Sequence, residues 1–423
     1  MEVIDPHAGW MIAVFILGYL LITIESITHI DKATVALFMG ITCWMIEFIN
    51  DLPSCANSLT CLGEHLNNVS QVVFFLLGAL VIVSLIEAHN GFAVISDAMK
   101  IRSKRKLLWA AGIMTFFLSA VLDNLTTTIV MVTLISGLVE KGRDRLLIGG
   151  GIVIAANAGG AWTPIGDVTT TMLWIGGMVS TWATMRDLFL PSIVSMAVAF
   201  ALLSFLLKGN FQPKAADEMK RGPEPHGKLI FFLGIAGLIM VPVLKVLINL
   251  PPFMGVLFAL SIVWFVTDLV HAKHEDRHHL RVPAVMTKID ISSLLFFLGI
   301  LLAIDALDSA KVLEGMAHWF DRHVGNTTYV ATLIGLASSV VDNVPLVAAS
   351  MGMYGLDRYA ADSQFWQLIA FCAGTGGSIL IIGSAAGVVF MGMEKVDFLW
   401  YLKRISLPAL VGYFAGIAVY LLF

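Results

Sequence analysis

Charged side chains are scarce in this sequence: Asp, Glu, Lys and Arg make up only 13% of its 423 residues. Soluble domains usually carry about 25%, so the composition excludes an ordinary soluble enzyme or binding module. Hydrophobic residues make up 58% of the chain, and they form continuous runs long enough to cross a bilayer as helices. The sequence therefore predicts an all-α polytopic membrane protein with no enzymatic activity and no nucleic-acid partner.

Cysteines are few in this sequence, and a nucleotide-binding motif is missing. Of the four cysteines, Cys43 and Cys372 lie in apolar segments, where we interpret them as packing residues. Cys55 and Cys61 share a polar loop, and either a disulfide or two separate thiols fits them, because no redox or zinc CxxC spacing is present. The His-rich stretch 271–279 resembles a zinc tract but fits a solvated loop better. No GxxxxGK[ST] motif is present, which argues against transport powered by nucleotide hydrolysis.

The N-terminus has little positive charge as well. Met1 to Gly9 contains no Lys or Arg, and a cleavable signal peptide normally begins with a basic region. We therefore interpret 10–29 as a retained first span. Most of the 26 Lys and Arg residues fall on one side when the spans are threaded from an outside N-terminus, which predicts that both termini lie outside.

Two acidic residues interrupt the apolar runs at matched places. Asp123 and Asn124 lie in the middle of the apolar segment 107–139, and the pair recurs as Asp342 and Asn343, half a chain later. A carboxylate at membrane depth costs roughly 2.5–3.5 kcal/mol even on the insertion scale with the smallest penalties. Two such residues in matched positions indicate a functional pair. The alternative is that both aspartates only cap helix N-termini.

The length of 107–139 predicts a re-entrant hairpin. As one straight helix it would run about 50 Å, well beyond a hydrocarbon core of about 30 Å. Basic residues flank both ends, which places both in the cytoplasm. Two full spans would also leave both ends of the segment in the cytoplasm, so the charge distribution does not distinguish a hairpin from two spans. The corresponding hairpin 326–352 is flanked by Asp321, Arg322 and Arg358 and is predicted to enter from the outside.

The two hairpins belong to an internal repeat. Asn157 to Gly160 aligns with Gly374 to Gly377. Each half is predicted to hold five spans, one of them a broken helix, together with one re-entrant hairpin. Because five is odd, the halves have opposite orientation, which is an inverted-topology repeat. The predicted units are a first repeat 1–207 (spans 10–29, 33–49, 70–88, 146–180 and 188–207), a cytoplasmic linker 208–228, and a second repeat 229–423 (spans 229–248, 253–271, 291–307, 365–392 and 405–423).

Each half also contains a span interrupted by glycine. These are the broken helices 146–180 and 365–392, whose freed carbonyls need partners inside a cavity or on an ion. Together with the hairpin tips, they supply side-chain and backbone oxygens. Such ligands suit hard cations such as Na⁺ or Li⁺. A buried carboxylate can hold a proton or a cation in turn, which is a minimal exchange mechanism.

These motifs resemble those of the NhaD-type Na⁺/H⁺ antiporters. The resemblance rests on the two Asp-Asn tips, on the run from Asn157 to Asp167 with threonines following, and on Gly374 to Ile379. These antiporters belong to the ion transporter superfamily, which also contains dicarboxylate, citrate and arsenite carriers. The resemblance implies a homodimer in a bacterial inner membrane that expels Na⁺ or Li⁺ in exchange for external protons, by alternating access, and serves pH homeostasis.

One departure separates this chain from the dicarboxylate branch, whose tips read Ser-Asn-Thr. Here each tip begins with Asp, which would repel an anionic substrate and favours a cation. The alternatives are a Na⁺-coupled carboxylate or arsenite carrier of the same superfamily, or a channel or sensor, which needs no inverted repeat. We expect Asp123→Asn or Asp342→Asn to abolish exchange without preventing membrane insertion.

The candidate site residues come from the tips and the broken helices. The predicted ion-binding residues are Asp123, Asn124, Thr126, Asn157, Thr163, Asp167, Thr169, Thr170, Ser339, Asp342, Asn343, Thr375, Ser378 and Ser384. Within this set, Na⁺ is predicted at Asp123, Asn124, Asn157, Asp342 and Asn343. Glu87, His89 and Asp305 are weaker candidates for a proton path or a pH response, and Glu87 and His89 could equally extend to the membrane interface. No cofactor is expected beyond Na⁺ or Li⁺ and H⁺ as substrates.

Overall fold

We analysed a computed structural model of the chain, in which residues 6–23, 25–28, 30–50, 58–96, 99, 101–211 and 224–423 are described. These residues form α-helices, a short 3₁₀ helix and connecting turns, with no β-strand among them. One isolated antiparallel bridge joins Ser103 to Asn210. The predictions for the first five residues, for Cys55 and for most of the linker fall outside the described residues.

The first half of the chain forms ten helices within the described ranges. In chain order they are α1 (Pro6–Thr23), α2 (Glu25–Thr28), α3 (Lys32–Asn50), α4 (Ser58–Ala88), α5 (Ala93–Ser96), α6 (Lys104–Leu122), α7 (Asn124–Leu138), α8 (Arg143–Gly160), α9 (Val168–Ile175) and α10 (Thr181–Leu206). The helical structure is interrupted at Asp123, between α6 and α7, where the turn was predicted. A second interruption lies between α8 and α9, within the span that was predicted to be a broken helix.

The second half contains eleven α-helices and one 3₁₀ helix within the described ranges. Its helices are α11 (Gly227–Ile248), α12 (Pro252–His271), the 3₁₀ helix Glu275–Leu280, α13 (Val282–Met286), α14 (Ile291–Ser309), α15 (Val312–His323), α16 (Thr327–Ala337), α17 (Asn343–Met353), α18 (Gln364–Gly376), α19 (Ala385–Glu394), α20 (Phe398–Arg404) and α21 (Ser406–Leu422). The pair α16 and α17 corresponds to α6 and α7, and α18 and α19 correspond to α8 and α9.

The predicted multi-pass helical fold is confirmed. Seven helices in the described ranges are long and apolar enough to cross a membrane, or eight if α20 and α21, bent by 52°, count as one span. By the same criterion α6, with 19 residues, could cross alone, whereas α7 has 15. The re-entrant course of this hairpin therefore stays a prediction.

Several boundaries differ from those predicted. Helix α4 begins at Ser58 rather than at 70, because polar residues such as His65 extend it and contact Asp305 of α14. Helix α10 likewise begins at Thr181, because the hydroxyl of Ser180 accepts a hydrogen bond from the amide of Ala183 and caps it. Helix α15 was not predicted, since its sequence is only partly apolar.

Glycines allow the helices to approach closely at three crossings. On α3 and α14, a Cβ at Gly40 would lie 2.5 Å from the carbonyl oxygen of Gly299. Around the predicted site, a Cβ at Gly159 of α8 would lie 2.2 Å from the carbonyl of Phe116, and one at Gly376 of α18 would lie 2.0 Å from that of Gly335. Small residues at such crossings are typical of helix packing in membranes. The last two crossings occupy matched places in the two halves.

We expect Gly376→Ala to destabilise the protein strongly, because the new methyl group cannot occupy the space taken by the backbone of Gly335. The comparison is Gly137→Ala on α7, where a Cβ would meet nothing within 4 Å. There, alanine should be neutral or stabilising by about 0.5–1 kcal/mol, because it restricts the unfolded chain and favours the helix. Thermal unfolding of both variants in detergent checks this; equal midpoints would contradict the close crossing.

Candidate functional site

The first hairpin tip is a strained helix start. Asp123 adopts a positive φ of 105°, which is sparsely populated by residues other than glycine. Its Oδ1 accepts a hydrogen bond from the Thr126 amide at 2.7 Å, and its Oδ2 accepts one from the Thr126 hydroxyl at 2.9 Å. Strain of this kind costs of order 1–3 kcal/mol and is typical of functional sites. The arrangement fixes Asn124, which begins α7 and is buried.

The second tip is similar but unstrained. Oδ1 of Asp342 accepts a hydrogen bond from the Val344 amide at 3.3 Å, and Asn343 begins α17 as a buried residue. The backbone φ of Asp342 is −48°, an ordinary value. Ser339 donates its hydroxyl to the Leu336 carbonyl at 2.7 Å, within its own turn. Both tip aspartates are thus partly buried helix caps, whereas the asparagines that follow them are enclosed.

The first broken helix places a carboxylate in the interior. Helix α8 ends at Gly160, seven irregular residues follow, and Asp167 caps the start of α9. Its Oδ1 accepts hydrogen bonds from the Thr169 amide at 3.0 Å and the Thr169 hydroxyl at 2.9 Å. Asp167 is only 1% exposed. A fully enclosed carboxylate needs compensation from donors or cations.

That compensation comes from both hairpin tips. Nδ2 of Asn124 donates to Oδ2 of Asp167 at 2.8 Å. Nδ2 of Asn343 lies 3.4 Å from the same oxygen and 3.5 Å from Oδ1. One carboxylate therefore contacts an amide from each half of the chain. We call Asp167, Asn124 and Asn343 the central triad.

A second network extends the triad to the other broken helix. Asn157 of α8 accepts a hydrogen bond from Asn124 through Oδ1 at 3.0 Å. Its Nδ2 donates to the hydroxyls of Ser378 at 3.0 Å and Ser384 at 2.9 Å. These side chains are at most 4% exposed. All four irregular segments, two tips and two breaks, thus meet in one hydrogen-bonded cluster of oxygen-rich side chains.

The cluster is asymmetric between the halves. Asp167 aligns with Ser384, and Asn157 aligns with Gly374. Each tip contributes an equivalent asparagine, but only the first broken helix contributes a carboxylate. Among the described residues, no Lys, Arg or His forms an ion pair with Asp123, Asp167 or Asp342. The central negative charge is therefore balanced by amide and hydroxyl donors alone, which leaves it available to a cation or a proton.

The remaining predicted threonines contact backbone carbonyls. Thr163 donates to the Ala120 carbonyl at 2.6 Å and fixes the first break against α6. Thr170 lies 3.4 Å from the Gly160 carbonyl, and Thr375 donates to the Phe371 carbonyl at 2.6 Å. Their hydroxyl oxygens retain lone pairs, but their hydrogen atoms are committed to the backbone.

The weaker candidates lie apart from the central triad. Glu87 is exposed at the end of α4. His89 is buried, and its Nε2 lies 2.9 Å from Nε2 of His271. Asp305 is paired with His65 of α4 at 3.2 Å.

Several structural residues were missed by sequence reasoning. Ser119 donates to the Ala156 carbonyl at 2.6 Å, and Ser338 makes the corresponding contact to Ala373 at 2.8 Å. Both serines begin the repeated stretches that end in Asp-Asn, so the repeat itself contained this signal. The phenol of Tyr401 on α20 donates to the Ser378 carbonyl at 2.9 Å and supports the second break.

The family follows from a comparison with known proteins. A family model described as "Citrate transporter" matches residues 10–366. The chain belongs to the citrate transporter family. The match contains both tips and the first broken helix. Membership of this transporter family agrees with the expectation of a transporter rather than an enzyme.

Individual proteins are similar to this chain over nearly its whole length. Sodium/proton antiporter 1 of Arabidopsis thaliana is 50% identical over 413 residues, which cover 97% of this chain and 72% of that protein. Sodium/proton antiporter 2 of the same plant is 48% identical, with 97% and 98% covered. The Na(+)/H(+) antiporter NhaD of Alkalimonas amylolytica is 30% identical, with 97% and 89% covered. The resemblance to NhaD-type antiporters is confirmed.

Proposed function

We propose that this protein exchanges Na⁺ or Li⁺ for H⁺ across a membrane. The observation that carries this proposal is the contact of one enclosed carboxylate, Asp167, with amides from both hairpin tips. The names of the relatives, sodium/proton antiporters in a plant and in bacteria, support the same cargo. The citrate transporter family to which the chain belongs supplies the transporter class.

In the proposed mechanism, a proton and a cation compete for the same oxygens. Without a cation, Asp167 is either protonated or held by the Nδ2 donors of Asn124 and Asn343. A side-chain amide carries a donor on one arm and an acceptor on the other. Rotation of either asparagine by half a turn therefore replaces a donor with Oδ1. The triad could then present a carboxylate and two amide oxygens to Na⁺, a hard cation that prefers oxygen ligands.

The tip aspartates have a separate proposed role. Asp123 and Asp342 cap their helices and are more exposed than the triad. Their negative charges would attract cations and repel anions at the entrances to Asp167. This role keeps them among the proposed ion-binding residues. The expectation that Asp123→Asn or Asp342→Asn abolishes exchange without preventing membrane insertion is therefore kept.

Alternating access would use the two halves as inverted repeats. The matched crossings at Gly159 and Gly376, and the matched serines at Ser119 and Ser338, support this proposal. In this scheme the triad faces each side of the membrane in turn, cytoplasmic Na⁺ leaves and external H⁺ enters. We keep as predictions the outside termini, the homodimer, lithium transport, the role in pH homeostasis and the bacterial inner membrane. The relative that is 50% identical comes from a plant, and the one that is 30% identical comes from a bacterium.

A Na⁺-coupled carboxylate carrier is the second candidate, because the matching family model is described as a citrate transporter. The enclosed site argues against an anionic substrate. It holds a carboxylate and, within the described ranges, no Lys or Arg paired with it. Citrate would be repelled by Asp167 unless Na⁺ or H⁺ neutralised that group first.

Transport by the purified protein in liposomes tests the proposal. With an acidic interior and a pH-sensitive dye inside, external Na⁺ or Li⁺ should dissipate the proton gradient, whereas K⁺ should have no more effect than in empty liposomes. Labelled citrate should not accumulate with or without Na⁺. Citrate uptake that requires Na⁺, with the proton gradient untouched, would establish the second candidate instead.

A further inference from the structure

An apolar groove of about 540 Å³ runs between α6 and α11. Six side chains of α6, from Ala110 to Val121, form one wall, and Phe231 and Ile235 of α11 form the other. On the α6 wall, Ile113 is 47% exposed and Phe117 is 49% exposed. Both helices are long and apolar enough to span a membrane, so the groove opens toward hydrocarbon.

The groove lies at a seam between two groups of helices. Helix α6 packs against α8 and against α7, which begins with Asn124 of the central triad, whereas α11 packs against α12 and α4. A lipid-facing groove of this size normally holds hydrocarbon, because an empty apolar cavity forfeits dispersion contacts along its walls.

Each wall has a lysine one helical turn before its first lining residue. Lys106 precedes Ala110 by four positions, and Lys228 precedes Phe231 by three. Residues three or four apart share a helix face. Both helices are predicted to begin on the cytoplasmic side, so we infer that both lysines lie at the cytoplasmic end of the groove. Both are exposed.

Neither ammonium group is already committed within the part of the chain that the structure describes. The neighbouring Lys104 shows the contrast, because its Nζ lies 2.6 Å from the carboxylate of Asp144. Lys106 and Lys228 form no such pair with a described acidic residue. The cytoplasmic mouth of the apolar groove therefore carries two uncompensated positive charges.

We propose that this groove binds one anionic phospholipid of the cytoplasmic leaflet. Its acyl chain would lie between α6 and α11, and its headgroup phosphate between Lys106 and Lys228. The apolar walls match the chain and the two ammonium groups match a headgroup with net negative charge, which a zwitterionic lipid lacks. A basic residue near the surface contributes about 1 kcal/mol to binding of anionic lipid. The site does not depend on which substrate the protein transports.

Native mass spectrometry of the delipidated, full-length protein tests the site. With phosphatidylglycerol as the probe, we expect one lipid to bind more tightly than phosphatidylcholine. At about 1 kcal/mol per lysine, Lys106→Gln or Lys228→Gln should weaken this binding about fivefold, and the double variant about thirtyfold. Equal binding of the two lipids by the unmodified protein would overturn the proposal.

Two further variants keep the result interpretable. Lys395→Gln with Lys403→Gln removes the same charge from exposed residues that do not line the groove and should leave binding unchanged. Ala110→Phe fills the groove and should lower retention of both lipids while the melting temperature holds. If the control pair weakens binding as much as the groove pair, or if Ala110→Phe leaves phosphatidylglycerol binding intact, the assigned site is wrong.

Discussion

Replacing Asp167 by Asn should reduce Na⁺-driven proton exchange to the rate of empty liposomes while the protein still folds and inserts. The substitution removes the one enclosed carboxylate that both tip asparagines contact. It keeps the shape of the side chain, and Asn caps a helix about as well as Asp, so the hydrogen bond from the Thr169 amide can persist. Dye-reported pH in liposomes at matched protein density measures the effect.

The matched control is Asp397→Asn. Asp397 also caps a helix, accepting a hydrogen bond from the Trp400 amide at 3.0 Å, but it is exposed and lies at the start of α20. Its variant should transport at the unmodified rate. Normal exchange by Asp167→Asn would remove the triad from the mechanism, and exchange lost in both variants would point to a general effect on helix capping.

Removing Arg145 should destabilise the protein by about 3–5 kcal/mol, as breaking a buried ion pair usually does. Its Nε donates to Oε1 of Glu394 at 2.9 Å, and the two side chains are 15% and 3% exposed. The guanidinium also contacts the Ser136 and Val139 carbonyls at the end of α7. Arg145→Met would leave Glu394 enclosed and uncompensated, and thermal unfolding in detergent should show a lower midpoint.

Two comparisons isolate this effect. Arg186→Met removes an arginine whose side chain is 64% exposed and paired with its neighbour Asp187, and exposed pairs contribute little. Its midpoint should not change. The double variant Arg145→Met with Glu394→Met should recover much of the lost stability, because an apolar pair replaces an ionic one. Additive losses in the double variant would show that the ion pair is not the cause.

The tips and breaks could be predicted because each leaves a local signal. Asp123 interrupts an apolar segment too long for one span, and the glycine-rich runs that begin at Asn157 and Gly374 disfavour a long unbroken helix. The repeat then identified the second copy of each element. These features depend on composition and spacing along the chain, and on no contact between distant residues.

The central triad could not be predicted in this way. Asn124, Asp167 and Asn343 are far apart in sequence and meet only through packing of both halves. Sequence reasoning placed Na⁺ at Asp123, Asn124, Asn157, Asp342 and Asn343. It left Asp167 outside these sodium ligands, although it counted Asp167 among the ion-binding residues.

Two other features also depend on tertiary contacts. The bend of 52° between α20 and α21 falls at Ile405. It follows Tyr401 by four residues, and the phenol of Tyr401 donates to a carbonyl of the second break. The buried contact of His89 with His271 joins the ends of α4 and α12, and neither helix has a local pattern that indicates it.

Proton release on sodium binding tests competition at Asp167 most directly. Na⁺ is added to the purified protein in weakly buffered detergent solution, and a pH dye records the protons that leave. The unmodified protein should release protons in a saturable manner with Na⁺ and Li⁺ but not with K⁺, and Asp167→Asn should release none. Undiminished release by Asp167→Asn, or sodium binding by the unmodified protein without any release, would contradict competition at this carboxylate.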